Sequence, residues 1–206
     1  MNTEAKKPDE TLEPSEEGGL VQSVYEWGRT LSGVLTWMVL LFVFLVQIVS
    51  VQGSSMENTL YTNDRLLVLN RCLCSIQRGD IVIVDAYNAP LNDISGTIVK
   101  RVIATGGQTV DIDFVTGTVY VDGQPLSEPY CKESTYVADG ITLPLTLAED
   151  ELFVMGDNRN HSTDSRSSML GPVKLDYVQG KAIFLLFPGK TAGLGQREYG
   201  RIGRLS

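Results

Sequence analysis

The sequence predicts an all-β domain, mostly antiparallel and built of partly open, barrel-like sheets, behind a single N-terminal transmembrane helix. Three observations carry that expectation. An uncharged apolar run fills Val34–Val51, long enough to cross a bilayer as a helix. After it the texture changes to short β-rich runs broken by turn residues. None of those runs shows an amphipathic helical period.

In chain order, residues 1–20 hold six acids (Glu4, Asp9, Glu10, Glu13, Glu16, Glu17) against Lys6 and Lys7, with Pro8 and Pro14. Such a stretch has little apolar surface to bury, and residues 1–30 are expected to be an acidic, disordered tail. The anchor is placed over 31–51, with Tyr25, Trp27 and Arg29 just before it, where interfacial residues sit. A cleaved leader is the competing reading, because Val51-Gln52-Gly53 would pass as a cleavage site. The apolar stretch exceeds the usual 7–15 residues of a leader, however, and the tail is acidic rather than basic. Arg29 on one side is matched by Arg65 and Arg71 on the other, so charge does not set the orientation.

Residues 52–206 form the β-domain. RLLVLN, GDIVIVDAY, GTIVKRVIA, TVDID, GTVYVDG, DELFVMG and GKAIFLLF read as strands. Gly96, Gly106-Gly107, Gly117, Asp122-Gly123, Gly156 and Gly171-Pro172 punctuate them. Val115-Thr116-Gly117 and Val121-Asp122-Gly123 read as hairpin turns. With 206 residues, 43% of them hydrophobic, the chain has ample material for one core. A net charge of −8 without a basic cluster argues against nucleic acid as a partner. Cys72, Cys74 and Cys131 fit no zinc spacing, and the single histidine adds few ligands. A Cys72–Cys131 or Cys74–Cys131 disulfide stays open outside the cytosol, although the odd count favours free buried thiols.

Lys100 is a lone cation inside the β-branched run TIVKRVIA. Strand alternation puts Ile98, Lys100 and Val102 on one face, with Val99, Arg101 and Ile103 on the other. Whichever face is buried therefore carries a charge. A buried ammonium favours its neutral form, and a neutral lysine is a general base. The plain alternative is a solvated edge strand protected from aggregation by its lysine.

Three further segments bear on that choice. GSSMENTL, residues 53–60, follows the anchor directly. A serine on a tight turn presents both its hydroxyl and its backbone N–H to a substrate carbonyl, as an acyl-transfer nucleophile must. RGDIVIV, residues 78–84, starts a strand at Asp80, and alone it suggests a locally satisfied turn. GDNRNHSTDSR, residues 156–166, packs Asp157, Asn158, Arg159, Asp164 and Arg166 beside apolar LFVM. That density fits either a solvated loop or a hydrogen-bonded floor.

In this order and spacing the segments resemble the bacterial type I signal peptidase family, in its short Gram-positive-like form. The matching residues are Ser55-Met56 with Thr59-Leu60, Arg78-Gly79-Asp80, Lys100-Arg101-Val102, Gly156-Asp157-Asn158-Arg159 and Ser162-x-Asp164-Ser165-Arg166. GKAIFLLFP and the late RIG are similar to the family's closing strands. Two positions depart from the pattern. Asn58 stands where proline is usual, and Gly53 stands where some members have a serine that helps hold the oxyanion.

The resemblance implies a membrane-bound serine endopeptidase that removes signal peptides from exported preproteins. It makes Ser55 the nucleophile and Lys100 the general base, one of the convergent Ser-Lys arrangements. The Ser55 backbone N–H would hold the oxyanion, and Ser162 would hydrogen-bond and orient Lys100. Asp164 and Arg166 would pair, with Arg101 and Asp157 beside them. Val51, Met56, Leu60 and Val99 would line shallow pockets for small side chains at substrate positions −1 and −3, and the substrate would add as a strand. His161 is read as a surface residue. No metal and no organic cofactor is expected.

The implied partners are preproteins, the lipid bilayer and, through proximity, the secretion translocon. The implied placement is the cell membrane, single-pass, with the N-terminus cytoplasmic and the catalytic domain outside. Two other classes compete: a non-catalytic tethered β-domain that binds peptides or partners, and a sortase-like cysteine transpeptidase. Against the latter, His161 follows all three cysteines and no threonine-rich motif precedes one at a strand end. Self-cleaving repressor proteases share the Ser-Lys chemistry but carry a DNA-binding domain where this chain has an anchor.

Overall fold

The computed structural model describes residues 16–86, 96–190 and 196–205. Two units separate, residues 1–43 and 44–206. The expected tail over 1–15 and the Tyr87 end of the GDIVIVDAY run lie outside the described residues.

A helix, α1, runs over Glu16–Leu45. Its stretch Val21–Leu45 is 25 residues long with a mean hydropathy of 1.7, apolar and long enough to cross a membrane. The hydroxyls of Ser23, Thr30 and Thr36 donate back to the carbonyls of Gly19, Glu26 and Ser32, which hides their polarity. Both limits of the expected anchor differ from this. The helix begins inside the segment read as disordered, because Val21, Val24 and Tyr25 extend the apolar content upstream of the uncharged run. It also stops at Leu45. Val46–Ser50 is instead a strand, β1, whose five residues all pair with β2, Arg65–Asn70. Val46, Ile48 and Val49 are β-branched and suit either state, so pairing decided between them.

The remaining strands are β3 (Ile81–Asp85), β4 (Thr97–Thr105), β5 (Thr109–Asp113), β6 (Thr118–Val121), β7 (Gln124–Pro125), β8 (Leu145–Thr146), β9 (Glu151–Met155), β10 (Val173–Lys174), β11 (Val178–Phe187) and β12 (Gly203–Arg204). One eight-stranded sheet has the order β1-β2-β11-β3-β4-β9-β10, with β12 also on β11, and a four-stranded sheet has the order β7-β6-β5-β8. Every pairing is antiparallel. β1 and β10 remain edges of the large sheet, which is therefore open. At the β6–β7 hairpin Asp122 and Gly123 both take positive φ, +52 and +75, as a tight primed turn requires.

Both faces of the central strands are covered. Ile81 and Ile83 of β3 join Val51, Met56, Leu60 and Val99 in one core cluster. Val82 and Val84 join Val102, Leu152 and Val154 in a second. Phe153 and Met155 of β9 join Ile103, Val110 and Val119 in a third. β4 contributes to all three, so its flanking apolar residues are sealed on either side of the lysine. The expectation that one face of this strand carries a buried charge is exceeded: Lys100 and Arg101 are 4% and 1% exposed.

Candidate active site

Burial sets the chemistry of Lys100. Removal from water pulls its ammonium pKa from the ordinary 10.5 down to about 8; Asp164 and Asp157 pull it back up, while Arg166 adds to the lowering. Its Nζ lies 2.8 Å from Ser55 Oγ. Lys100 is carried by the middle of β4, opposite Val82, whereas Ser55 stands on the turn after β1, and the amine meets the hydroxyl where these elements converge.

That turn is pinned from several directions. Thr59 and Leu60 N–H groups both donate to the Met56 carbonyl. The Asn158 N–H donates to the Ser55 carbonyl at 3.0 Å, and Asn158 Nδ2 donates to the Ser54 carbonyl at 3.1 Å. Thr59 Oγ1 donates to Asp157 Oδ2 at 2.5 Å. The Ser55 N–H donates to no protein acceptor among the described residues, so it is available to a substrate oxygen. Gly156 explains how close the two loops come. A Cβ there would lie 2.3 Å from Ser162 Oγ and 2.4 Å from the Ser55 carbonyl oxygen, so only glycine fits.

Beneath the dyad lies a layer of buried arginine–carboxylate forks. Arg101 donates through Nε and an η nitrogen to both oxygens of Asp157, each at 2.9 Å, and through its other η nitrogen to the Gly79 carbonyl. Its guanidinium also stacks 4.0 Å from the Tyr130 ring centroid. Arg166 grips both oxygens of Asp164 at 2.8 Å and also donates to the carbonyl of Arg159. Asp164 in turn accepts from the Gly156 N–H at 3.0 Å. Arg159 grips Glu128, at 2.8 and 2.6 Å, and donates to Thr135. Isolated buried charges are costly, and bidentate pairing with extra hydrogen bonds offsets that cost while holding the loop in one geometry.

Most residues singled out from sequence meet here. Ser55 and Lys100 touch; Arg101 pairs with Asp157, and Asp164 with Arg166. Val51, Met56, Leu60 and Val99 share one cluster, in which Val99, at 9%, is the most exposed. The expected Ser162–Lys100 hydrogen bond is not formed: Ser162 Oγ is buried without a partner, as is Asn158 Oδ1. Ser162 Oγ lies close over Gly156, where only the absence of a Cβ leaves it room. His161 is exposed, and all three cysteines are free. Asp80 accepts from the Gln77 N–H within its turn, but its charge is paired with the remote Lys181 of β11 at 2.7 Å rather than locally as expected.

Sequence reasoning missed a second support. Asp64, fully buried, accepts from Arg201 at 2.6 Å, from the Tyr61 N–H at 2.9 Å and from the Gly189 N–H at 2.6 Å. Arg201 also donates to the Thr59 carbonyl at 3.0 Å, tying the C-terminal segment to the serine turn. Glu128 and Tyr130 were missed as well. Their partners lie far away in sequence, and no local pattern marks them.

The profile described as "Signal peptidase, peptidase S26" matches residues 24–187. A signal peptidase I from Bacillus licheniformis is 34% identical over 175 residues, 81% of this chain and 90% of that protein. Signal peptidase I T of Bacillus subtilis is 33% identical, covering 79% and 85%. A probable signal peptidase I-1 of Synechocystis is 34% identical, covering 77% and 80%. A crystal structure of a signal peptidase I from Enterococcus faecalis is similar at a TM-score of 0.41 and 29% identity, covering 52% of this chain and 97% of that one. The chain belongs to the signal peptidase family, peptidase S26.

Proposed function

We propose that this protein is a membrane-bound serine endopeptidase that removes N-terminal signal peptides from preproteins, with Ser55 as nucleophile and Lys100 as general base. The observation that carries the reading is a buried lysine, its pKa near 8, placed 2.8 Å from a turn serine. A neutral amine at that distance takes the Oγ proton as Oγ attacks the carbonyl carbon of substrate residue −1. The negative charge passes to the carbonyl oxygen, which the unengaged Ser55 N–H receives. The ammonium then gives its proton to the departing amine of residue +1, leaving an ester on Ser55. Finally the amine deprotonates a water that attacks the ester, and the proton returns to Ser55 Oγ as the signal peptide leaves.

The remaining groups position this pair. Asp157 and Asn158 hold the serine turn, and the Arg101 and Arg166 forks hold Asp157 and Asp164. Ser162 Oγ has no hydrogen-bond partner among the described residues, and a rotation of its side chain would be needed for it to accept from the Lys100 ammonium. Val99, the most exposed of the four pocket residues, offers the apolar contact for small substrate side chains, and the buried Val51, Met56 and Leu60 back it. The segment before Val21 lies on the cytoplasmic side, the apolar stretch Val21–Leu45 spans the membrane, and residues 52–206 face the exported preprotein near the translocon.

Cys74 and Cys131 are poor nucleophiles, because burial raises the Cys74 thiol and pushes Cys131 up to about 12, away from the reactive thiolate. Incubating the detergent-solubilised protein with a preprotein and sequencing the product N-terminus tests the reading. One new N-terminus after a small residue supports it, and an intact preprotein rejects it.

A further inference from the structure

Apart from the dyad, the β-domain holds a cleft of about 420 Å³ lined by Ser50, Asn63, Arg65, Phe187, Lys190 and Arg197. Three of these six residues are cations and none is an acid. Elsewhere in the domain Arg71, Arg101, Lys132, Arg159, Arg166, Lys181 and Arg201 each pair with a carboxylate. Arg65, Lys190 and Arg197 have no carboxylate partner among the described residues. The backbone holds them together: Arg65 stands opposite Ser50 of β1 and Phe187 of β11, and a β-bridge joins Lys190 to Arg197. The segment between those two, TAGLG at 191–195, carries no charge. Glu198, next in sequence, does not line the cleft. Like charges gathered without a counter-ion repel one another and attract an anion, the more so in a concave site.

The cleft adjoins the segment that leads to the nucleophile. Ser50 precedes Val51, whose carbonyl accepts from the Asn63 N–H at 2.8 Å. Ser55 follows Ser50 by five residues. An extended chain covers about 3.3–3.6 Å per residue, so a peptide stretched along this segment spans the distance within about five residues.

We propose that this cleft binds one carboxylate side chain of the peptide substrate, an Asp or Glu within about five residues of the scissile bond. Its methylene stem lies on the Phe187 ring, and Arg65, Lys190 and Arg197 share its charge. The inference rests on the peptidase reading and adds a specificity element to it.

The test uses peptides of one cleavable sequence with a single Asp at successive positions, five before to five after the bond, each beside its Asn counterpart. KM is measured on the full-length protein, and Kd by fluorescence anisotropy on its Ser55→Ala variant. At one position, or at two positions two residues apart, Asp should lower KM and Kd about threefold to fivefold relative to Asn, as for a partly solvated ion pair. That ratio should fall to about one in Lys190→Glu and Arg197→Glu, at high salt, and in excess inorganic phosphate. Equal values for Asp and Asn at every position overturn the cleft while the peptidase stands. So does an Asp advantage that survives Lys190→Glu. No cleavage of any peptide by the unmutated protein overturns the peptidase reading instead.

Discussion

Lys100 Nζ stands 2.8 Å from Ser55 Oγ across a separation of 45 residues. The lysine is sealed in the centre of β4 and the serine rides on a turn that Asn158 and Asp157 hold from below. The pair is thus assembled by three stretches of chain, each built differently, and its reactivity depends on all of them.

Ser55→Ala should remove cleavage by about 10⁴- to 10⁶-fold with the fold intact. Ser54→Ala should have a far smaller effect, since Ser54 is held through its backbone carbonyl, which accepts from Asn158 Nδ2 and the Glu57 N–H, and alanine keeps that carbonyl. Preprotein processing and circular dichroism on both variants check this. An active Ser55→Ala protein would remove that serine from the mechanism.

Activity should rise with pH through about 8, where Lys100 loses its proton, and level off above. Lys100→Arg keeps the charge but cannot deprotonate in this range, so it should be inactive at every pH. A kcat/KM profile from pH 6 to 10 on both proteins is the measurement. Cleavage by the arginine variant at any pH would show that another group is the base.

The same depressed pKa has a thermodynamic consequence. The folded protein releases the Lys100 proton more readily than the unfolded chain, so stability grows as pH climbs from about 8 towards 10.5. Lys100→Met, which has no charge to bury, should be inactive yet more stable at pH 7 by on the order of 1–3 kcal/mol. The gap should narrow above pH 8. Denaturant titrations at pH 7 and 9.5 test it, and a destabilised Lys100→Met at pH 7 would contradict it.

Asp164→Ala leaves the Arg166 guanidinium buried without its carboxylate and frees the Gly156 N–H. It should cost about 3–5 kcal/mol. Arg101→Lys is milder but still damaging, because lysine cannot reproduce the fork on Asp157 together with the Tyr130 stack. It should retain measurable activity, at least about tenfold reduced, roughly the 1.4 kcal/mol of one charged hydrogen bond. Urea melts and kcat on the two variants decide the matter.

Protease added to intact spheroplasts should digest residues 52–206 and spare a tag at the N-terminus. Protection of the β-domain with digestion of the tag would reverse the proposed orientation.

By itself the sequence determined the longer strands, the presence of an apolar helix and the candidates Ser55 and Lys100 for a catalytic pair. Each of those is local or motif-borne: β-branched runs between glycines mark strands, uncharged length marks a span, and Ser55, Lys100 and the Asp164–Arg166 loop stand in a recognisable order. The sequence did not determine where the helix ends, because Val46–Ser50 satisfies either state until β2 pairs with it. It did not reveal that both faces of β4 are covered, since alternation describes one strand and burial depends on what packs against it. Nor did it reveal the Asp64–Arg201 tie, the Glu128–Arg159 fork or the unpaired Ser162 hydroxyl. Those depend on partners brought together by tertiary folding, and the depressed pKa of Lys100 depends on the water that folding excludes.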